Sequence, residues 1–185
     1  MSIVQSFKPI IGLEPKVLIL GSMPGIASLT EHQYYAHPRN AFWPIMAQLL
    51  CVEWSPIYSQ RVKQLGHFPL ILWDVLKACK RKGSLDSAIM TEGLVANDIA
   101  SLLSLHQGIS CIAFNGGAAD KMFKQQVTPT IEQIDRFDLL RMPSTSPAHA
   151  SLNFEQKLDQ WRRITDYFKI PDHKNLDSPL TSVNS

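Results

Sequence analysis

The sequence predicts an α/β fold in which helices pack against a mostly parallel β-sheet. Four short apolar segments resemble strands, and helical patterns occupy the intervals between them. The first three apolar segments are continuous rather than alternating, which is typical of strands buried on both faces of a parallel sheet. Strands that alternate with helices along a chain favour a layered α/β architecture.

The four predicted strands are distributed along most of the chain. They are KVLILG at 16–21, FPLILWDV at 68–75, SCIAFNG at 110–116 and FDLLRMPS at 137–144. Polar, glycine or proline residues follow each segment, as expected where a strand ends in a loop.

The predicted helices are NAFWPIMAQLL at 40–50, NDIASLLSLHQG at 97–108, GGAADKMFKQQ at 116–126 and a last helix that begins after Asn153. The first two carry apolar residues at spacings of three and four, and Gly108 is a suitable stop for the second. Asn153 is a suitable N-cap for the last helix. That helix has a single apolar stripe, formed by Phe154, Leu158, Trp161, Ile164 and Phe168, which we interpret as core.

Length and composition indicate one globular unit. The chain has 185 residues, of which 45% are hydrophobic and 18% charged, so we expect a single domain over residues 1–170. Residues 171–185 lack apolar periodicity and are expected to form a loose tail. The net charge of +2 neither requires nor excludes nucleic-acid binding, since a locally basic face would suffice.

The cellular setting is predicted from cysteines and termini. Cys51, Cys79 and Cys111 have no zinc-ligand spacing and are interpreted as buried thiols in a reducing cytoplasm. The N-terminal residues lack the pattern of a signal peptide, and no apolar run approaches the roughly 20 residues of a membrane span. We therefore expect a cytoplasmic protein that does not bind membranes.

A parallel α/β sheet binds its ligands beyond the carboxyl ends of its strands. That rule gathers four segments along one edge: 21–40, 73–74, 115–117 and 143–150. The segment GSMPG, which follows the first strand, lacks the spacing of a phosphate loop or of a dinucleotide fingerprint. Its glycines would let a ligand approach the backbone closely. The segment is therefore either part of a binding site or an ordinary turn between a strand and a helix.

Two longer motifs carry more information. YYAHPRNAFW, at 34–43, places two tyrosines in a loop, where one planar face would suit a flat ligand. Asn40 stands where a helix begins and is, on spacing alone, either its cap or a site residue. MPSTSPAHAS, at 142–151, has three successive hydroxyl residues, which suit phosphate binding or simply form a polar turn.

Other features are less specific. The basic cluster KACKRKGS, at 77–84, is either a solvated face or a phosphate contact. The sequence has no serine elbow, HExxH or CxxC motif, so nothing in it supports a covalent serine or cysteine mechanism or a metal hydrolase.

Taken together, GSMPGIASL, QYYAHPRNAFW and PSTSPAHA resemble motifs of the uracil-DNA glycosylase superfamily, and most closely its hypoxanthine (deoxyinosine) branch. The likeness runs from about residue 15 to residue 168. It implies a three-layer α/β/α sandwich with a central four-stranded, mostly parallel sheet. It also implies a base-excision-repair enzyme that removes damaged bases from DNA without metal or organic cofactor.

The chain departs from the superfamily at two positions. Many relatives have a catalytic Asp or Asn in the first motif, where this chain has Met23, which cannot orient water. The hypoxanthine branch lacks that polar residue too and is thought to use the asparagine that corresponds to Asn40. The second motif of common uracil enzymes begins with a histidine, whereas this chain has Met142 or Pro143 there, which argues against efficient uracil removal.

The remaining roles come from the resemblance and, for Asp74, Asn115 and the amides at Ser22–Met23, from the hydrogen bonds that a hypoxanthine base would need. Asn40 is the expected catalytic residue, and the expected base-binding residues are Gly21, Ser22, Met23, Tyr35, Asp74 and Asn115. Tyr34 is the alternative to Tyr35 for stacking, Asp74 is otherwise a cap, and Asn115 is otherwise a turn residue. The expected DNA contacts are Ser144, Thr145, Ser146, Pro147, Ala148 and His149, with His149 helping to fill the gap that a flipped base leaves.

We therefore expect a monofunctional, monomeric glycosylase that acts on DNA containing a deaminated base, above all hypoxanthine. No motif lysine is placed for a Schiff base. Two alternatives remain open at this point: a uracil or mismatch-specific glycosylase of the same fold, and a non-catalytic nucleotide- or DNA-binding module.

Overall fold

A computed structural model describes residues 3–80, 89 and 93–168. Its centre is a five-stranded sheet with strand order β2-β4-β3-β7-β8. Its strands are β2 (Ile10–Ile11), β3 (Val17–Gly21), β4 (Leu70–Asp74), β7 (Cys111–Asn115) and β8 (Asp138–Met142). The last four are parallel, and β2 adds a short antiparallel edge to β4.

All four predicted strands are present at the predicted positions. The four parallel strands confirm the predicted sheet, and β2 is an additional edge strand. Because β3 lies between β4 and β7, the chain reverses its direction of winding at β3. The carboxyl ends of these three strands therefore flank a topological switch point, which is where such sheets hold ligands.

The helices lie in two layers. They are α1 (Ile26–Glu31), α2 (Phe42–Leu50), α3 (Tyr58–Leu65), α4 (Ile99–Leu105), α5 (Gly117–Gln126) and α6 (Phe154–Trp161). Asn153 caps α6 as predicted, in a reciprocal capping box with Gln156. Beyond Trp161 the predicted helix tightens into a 3₁₀ segment, Arg162–Tyr167.

Each face of the sheet has its own core, because successive side chains of a strand point to opposite faces. Val17 and Ile19 pack in one core with residues of α2, α3 and α6. Leu18 and Leu20 pack in the other core with residues of α4 and α5. The continuous apolar runs are thus strands covered on both sides, and the three-layer α/β/α arrangement is confirmed.

A second, smaller sheet was not predicted. It joins β1 (Ile3–Gln5), β5 (Leu76–Lys80) and β6 (Val95–Ala96) in antiparallel order β1-β5-β6. The basic cluster at 77–84 begins on β5, and its remaining residues, 81–84, lie outside the described part of the chain, as does the predicted tail at 171–185.

Candidate active site

A cavity of about 320 Å³ opens at the carboxyl ends of β3, β4 and β7. Its walls come from the turn after β3, from α1, from the tyrosine loop before α2 and from the loop after β8. Its lining residues are Gly21, Ser22, Met23, Pro24, Gly25, Ile26, Ala27, Ser28, Tyr34, Tyr35, His37, Asn40, Asp74, Asn115, Ser144, Thr145, Ser146, Pro147 and Ala148. Every predicted site residue except His149 therefore lines one cavity.

Gly21, Asp74 and Tyr35 meet at the base of the cavity. Gly21 and Asp74 are paired residues at the ends of β3 and β4. A Cβ atom at Gly21 would lie 2.5 Å from Asp74 Oδ1 and 3.2 Å from the Tyr35 hydroxyl. Only a glycine therefore allows the carboxylate and the phenol to approach the strand end this closely. The Asp74 side chain is almost completely buried, at 3% exposure.

The two tyrosines occupy different environments. Tyr34 is 3% exposed, its hydroxyl donates to the Lys8 carbonyl oxygen at 3.2 Å, and its carbonyl accepts from Trp43 Nε1 at 2.9 Å. Tyr35 is half-buried, and its ring stacks on Phe42 with centroids 4.1 Å apart. The left-handed backbone of Tyr35, with φ of 55°, turns consecutive side chains into these two environments.

Burial sets the protonation of the phenols in this region. Burial, with a further contribution from the charge of Asp74, raises the pKa of Tyr34 far above its ordinary value. Burial also raises the pKa of Tyr58, whose hydroxyl accepts the Tyr34 backbone N–H at 3.0 Å. Both phenols therefore stay neutral at physiological pH and serve as hydrogen-bonding groups rather than bases.

Asn40 is held rigidly at the mouth of the cavity, just before α2. Its Oδ1 accepts the N–H of Phe42, the first residue of α2, at 3.0 Å, which is an Asx turn. Its own N–H donates to the His37 carbonyl oxygen at 2.8 Å. The interpretation of Asn40 as the N-cap is wrong, because the N-cap of α2 is Ala41. Asn40 lies one residue earlier, where it also lines the cavity.

His37 lines the cavity beside Asn40 and was not singled out from the sequence. Its Nδ1 accepts the Arg39 N–H at 3.1 Å, which leaves the Nε2 position as the donor of the neutral ring. A histidine that precedes a proline has no local sequence pattern that would predict a functional role. The available signal was its place inside a motif whose neighbouring residues had already been assigned to the site.

Two hydrogen bonds between Asn115 and Thr145 join the end of β7 to the loop after β8. Asn115 Nδ2 donates to Thr145 Oγ1, and Asn115 Oδ1 accepts the Thr145 N–H, both at 2.9 Å. The Thr145 carbonyl then accepts the Ala41 N–H at 3.0 Å. Thr145 is 1% exposed, and its burial leaves no surface for a phosphate in this conformation.

The rest of the loop after β8 is more accessible. Ser144 Oγ accepts the Ser146 N–H and Ser146 Oγ accepts the Ala148 N–H, each at 3.2 Å. Both hydroxyls keep their own proton for donation, and both residues are half-buried. His149 lies outside the cavity lining, where its Nε2 is 3.2 Å from Ser151 Oγ.

Within the described residues, no three His, Cys, Asp or Glu side chains are grouped to hold a metal ion. None of the helices found in that part of the chain has the length and apolar character needed to cross a membrane.

The fold and the cavity define an α/β/α protein whose candidate site lies at the switch point, between a glycine-containing turn and a hydroxyl-rich loop. The chain belongs to the uracil DNA glycosylase superfamily, whose family model matches residues 9–169. The resemblance drawn from the sequence motifs is thereby confirmed.

Two similar proteins come from species of Methanosarcina. A protein named hypoxanthine DNA glycosylase from Methanosarcina barkeri (strain Fusaro / DSM 804) is 37% identical over 113 residues, which are 60% of this chain and 70% of the relative. A protein of the same name from Methanosarcina acetivorans is 35% identical over 118 residues, which are 63% of this chain and 73% of the relative.

The fold has a close counterpart among solved structures. The solution NMR structure of a Methanosarcina acetivorans protein, described as a candidate uracil DNA glycosylase, superposes with a TM-score of 0.71 at 29% identity. The match covers 89% of this chain and 99% of that chain.

Proposed function

We propose that the protein is a monofunctional DNA glycosylase of base excision repair that everts a deaminated base, principally hypoxanthine, and hydrolyses its N-glycosidic bond. The observation that carries the proposal is the convergence of Asp74, Tyr35 and Asn40 on one cavity, with the hydroxyl-rich loop at its rim. The two relatives named hypoxanthine DNA glycosylase support the choice of base.

Entry to such a cavity requires base flipping, because a base stacked in a duplex cannot reach it. Ser144 and Ser146 hold the phosphates of the distorted strand through their hydroxyl protons. Pro147, Ala148 and His149 lie at or beyond the rim, and they fill the space that the flipped nucleotide vacates. Such a wedge offsets part of the unstacking cost, which is a few kcal/mol.

Tyr35 provides the flat surface for the flipped base. Its ring is already positioned by stacking on Phe42, whereas the Tyr34 ring is committed to the core, where it meets Phe7 edge to face. Base stacking is worth roughly 1–3 kcal/mol but discriminates poorly among bases. Selectivity must therefore come from hydrogen bonds.

Asp74 distinguishes hypoxanthine from adenine. Hypoxanthine has a donor at N1 and an acceptor at O6, and adenine has the reverse pattern. Asp74 accepts from N1–H, while a backbone amide in the turn at Ser22–Met23 donates to O6. Adenine would leave these buried groups unmatched, at a cost of about 1–3 kcal/mol for each and more for the charged one.

Asn40 positions the attacking water. An amide has no pKa near 7 and cannot act as a general base, but its carbonyl oxygen has two lone pairs. One accepts the Phe42 N–H, and the other accepts from a water directed at C1′. The oriented carbonyl dipole also stabilises the oxocarbenium character of the sugar in the transition state.

The decisive experiment detects abasic sites in duplexes that contain hypoxanthine, uracil, xanthine or only normal bases. We expect cleavage after alkali treatment to be fastest for hypoxanthine and absent for undamaged adenine. Faster release of uracil would favour the uracil alternative, and binding without any abasic product would favour a non-catalytic module.

A further inference from the structure

A second groove, of about 300 Å³, adjoins the cavity on the other side of Asn40. It lies between the turn before α2, the first turn of α2 and the start of α6. Its charged lining residues, Arg39 and Lys157, are both cations. The other lining residues are Pro38, Asn40, Ala41, Pro44, Leu152 and Phe154. The groove thus combines positive charge with a direct connection to the proposed catalytic residue.

Lys157 is an unusual lysine because it is only 5% exposed. Its Nζ donates to the carbonyl oxygens of His149 at 2.8 Å and Ser146 at 3.5 Å. Among the described residues, the ion pair that forms within 4.0 Å is Lys124 with Asp120, so Lys157 has no carboxylate partner there. Burial lowers the pKa of Lys157, as expected for a cation without a counter-charge.

A buried ammonium that meets only carbonyl oxygens keeps a net charge that the folded protein does not neutralise. An ammonium has three donors, and two of them are used by Ser146 and His149. Both carbonyls belong to the loop that grips the DNA strand in the proposed function. The third donor and the net charge are therefore available to a ligand that lies along this loop.

We propose that this groove is a phosphate subsite, in which Lys157 and Arg39 bind a phosphodiester flanking the flipped nucleotide on the substrate strand. The inference rests on the proposed glycosylase function. Because the same ammonium holds the carbonyls of Ser146 and His149, phosphate binding is coupled to the position of the gripping loop.

A chemical double-mutant cycle tests the subsite. Duplexes carry one deoxyinosine with a 2′-fluorinated sugar that resists hydrolysis, and uncharged methylphosphonates replace the neighbouring phosphates one at a time. Affinities for the wild type and for Lys157→Met are measured by fluorescence anisotropy across a range of salt concentrations. If Lys157 contacts a phosphate directly, the losses of affinity caused by the substitution and by the methylphosphonate at that phosphate are not additive. If Lys157 has only a structural role, the two losses add at every phosphate.

We expect Lys157→Met to weaken binding about tenfold, the loss typical of one hydrogen bond to a charged group. The slope of log K against log salt should become shallower by about 0.9. One methylphosphonate should weaken wild-type binding by the same factor and leave the variant unaffected. Additive losses at every phosphate position would overturn the proposal.

Matched variants make the test specific. Lys121→Met removes an exposed lysine of α5 and should leave the coupling intact, and Lys157→Arg should keep the salt slope. If Lys157→Met fails to fold, the cycle is run with Arg39→Gln, whose side chain is exposed, and the same coupling is expected. If the wild-type protein excises hypoxanthine but no phosphate position shows coupling to Lys157, the subsite is refuted and the proposed function stands. If the wild-type protein excises no base, the proposed function is refuted.

Discussion

Replacement of Gly21 by alanine is the sharpest test of how the base-reading site is built. The new Cβ would lie 2.5 Å from Asp74 Oδ1, so the carboxylate must retreat by about 0.9 Å to reach the 3.4 Å of ordinary contact. A hydrogen bond from hypoxanthine N1–H to the carboxylate does not survive such a shift. Its loss is worth about 1.5–3 kcal/mol, which is a roughly 10- to 150-fold slower excision of hypoxanthine.

The assay is single-turnover release of hypoxanthine with enzyme in excess, below the melting temperature of the variant. Overpacking should also lower the free energy of unfolding by about 1–3 kcal/mol, so circular dichroism must show a folded protein at the assay temperature. Gly108→Ala is the matched control, because its Cβ meets only Pro15 O and the flexible end of Lys16, at 3.3 Å. A folded Gly21→Ala variant with wild-type excision would refute the geometry proposed for Asp74.

Three further predictions follow from the same contacts. Asn40→Ala should slow excision about 100- to 1,000-fold, as when one preorganised transition-state contact is lost, with DNA affinity nearly kept. About 1 kcal/mol of stability should be lost with the hydrogen bond to the Phe42 N–H; wild-type rates by single-turnover assay would remove Asn40 from the mechanism. Asp74→Asn should keep partial activity on hypoxanthine but alter the relative rates for hypoxanthine, xanthine and uracil, since an amide presents both a donor and an acceptor; an unchanged preference profile would contradict its role. A thiol reagent at pH 8 should modify one cysteine in the native protein, the exposed Cys51, because Cys79 and Cys111 are buried and burial raises the pKa of Cys111 to about 12. All three thiols should react in denaturant. A second label found by mass spectrometry on the native protein would contradict this prediction.

The central sheet could be predicted because its strands carry their own signal. The first three predicted strands are short apolar runs whose burial on both faces leaves no room for polar alternation, whereas the fourth, β8, has exposed residues between its buried ones. The small sheet of β1, β5 and β6 was not predictable in the same way, because β6 has only two residues and β5 contains two lysines. Pairing between such short strands depends on tertiary contacts rather than on local pattern.

The topology of the sheet predicted that the candidate site residues would lie close together, but it did not predict the hydrogen bonds among them. The carboxyl-edge rule was sufficient to bring the motifs at 21–40 and 143–150 to one place. It could not indicate that the amide nitrogen and oxygen of Asn115 both form hydrogen bonds with Thr145, since these residues are 30 apart in sequence. Lys157 has no distinguishing sequence pattern in the last helix, and only its burial sets it apart.

These internal bonds hold Asn40, the proposed catalytic residue, in a defined position. Asn40 lies between two fixed points, because its Oδ1 is bonded to Phe42 and the Ala41 N–H that follows it is bonded to Thr145. Thr145 is in turn held by Asn115 at the end of a central strand. The amide of Asn40 is therefore oriented by the sheet before DNA arrives, so orienting the water requires little further ordering of the protein. In the proposed mechanism, the hydrogen bond from the Phe42 N–H that fixes the Asn40 side chain also directs its second lone pair toward the water.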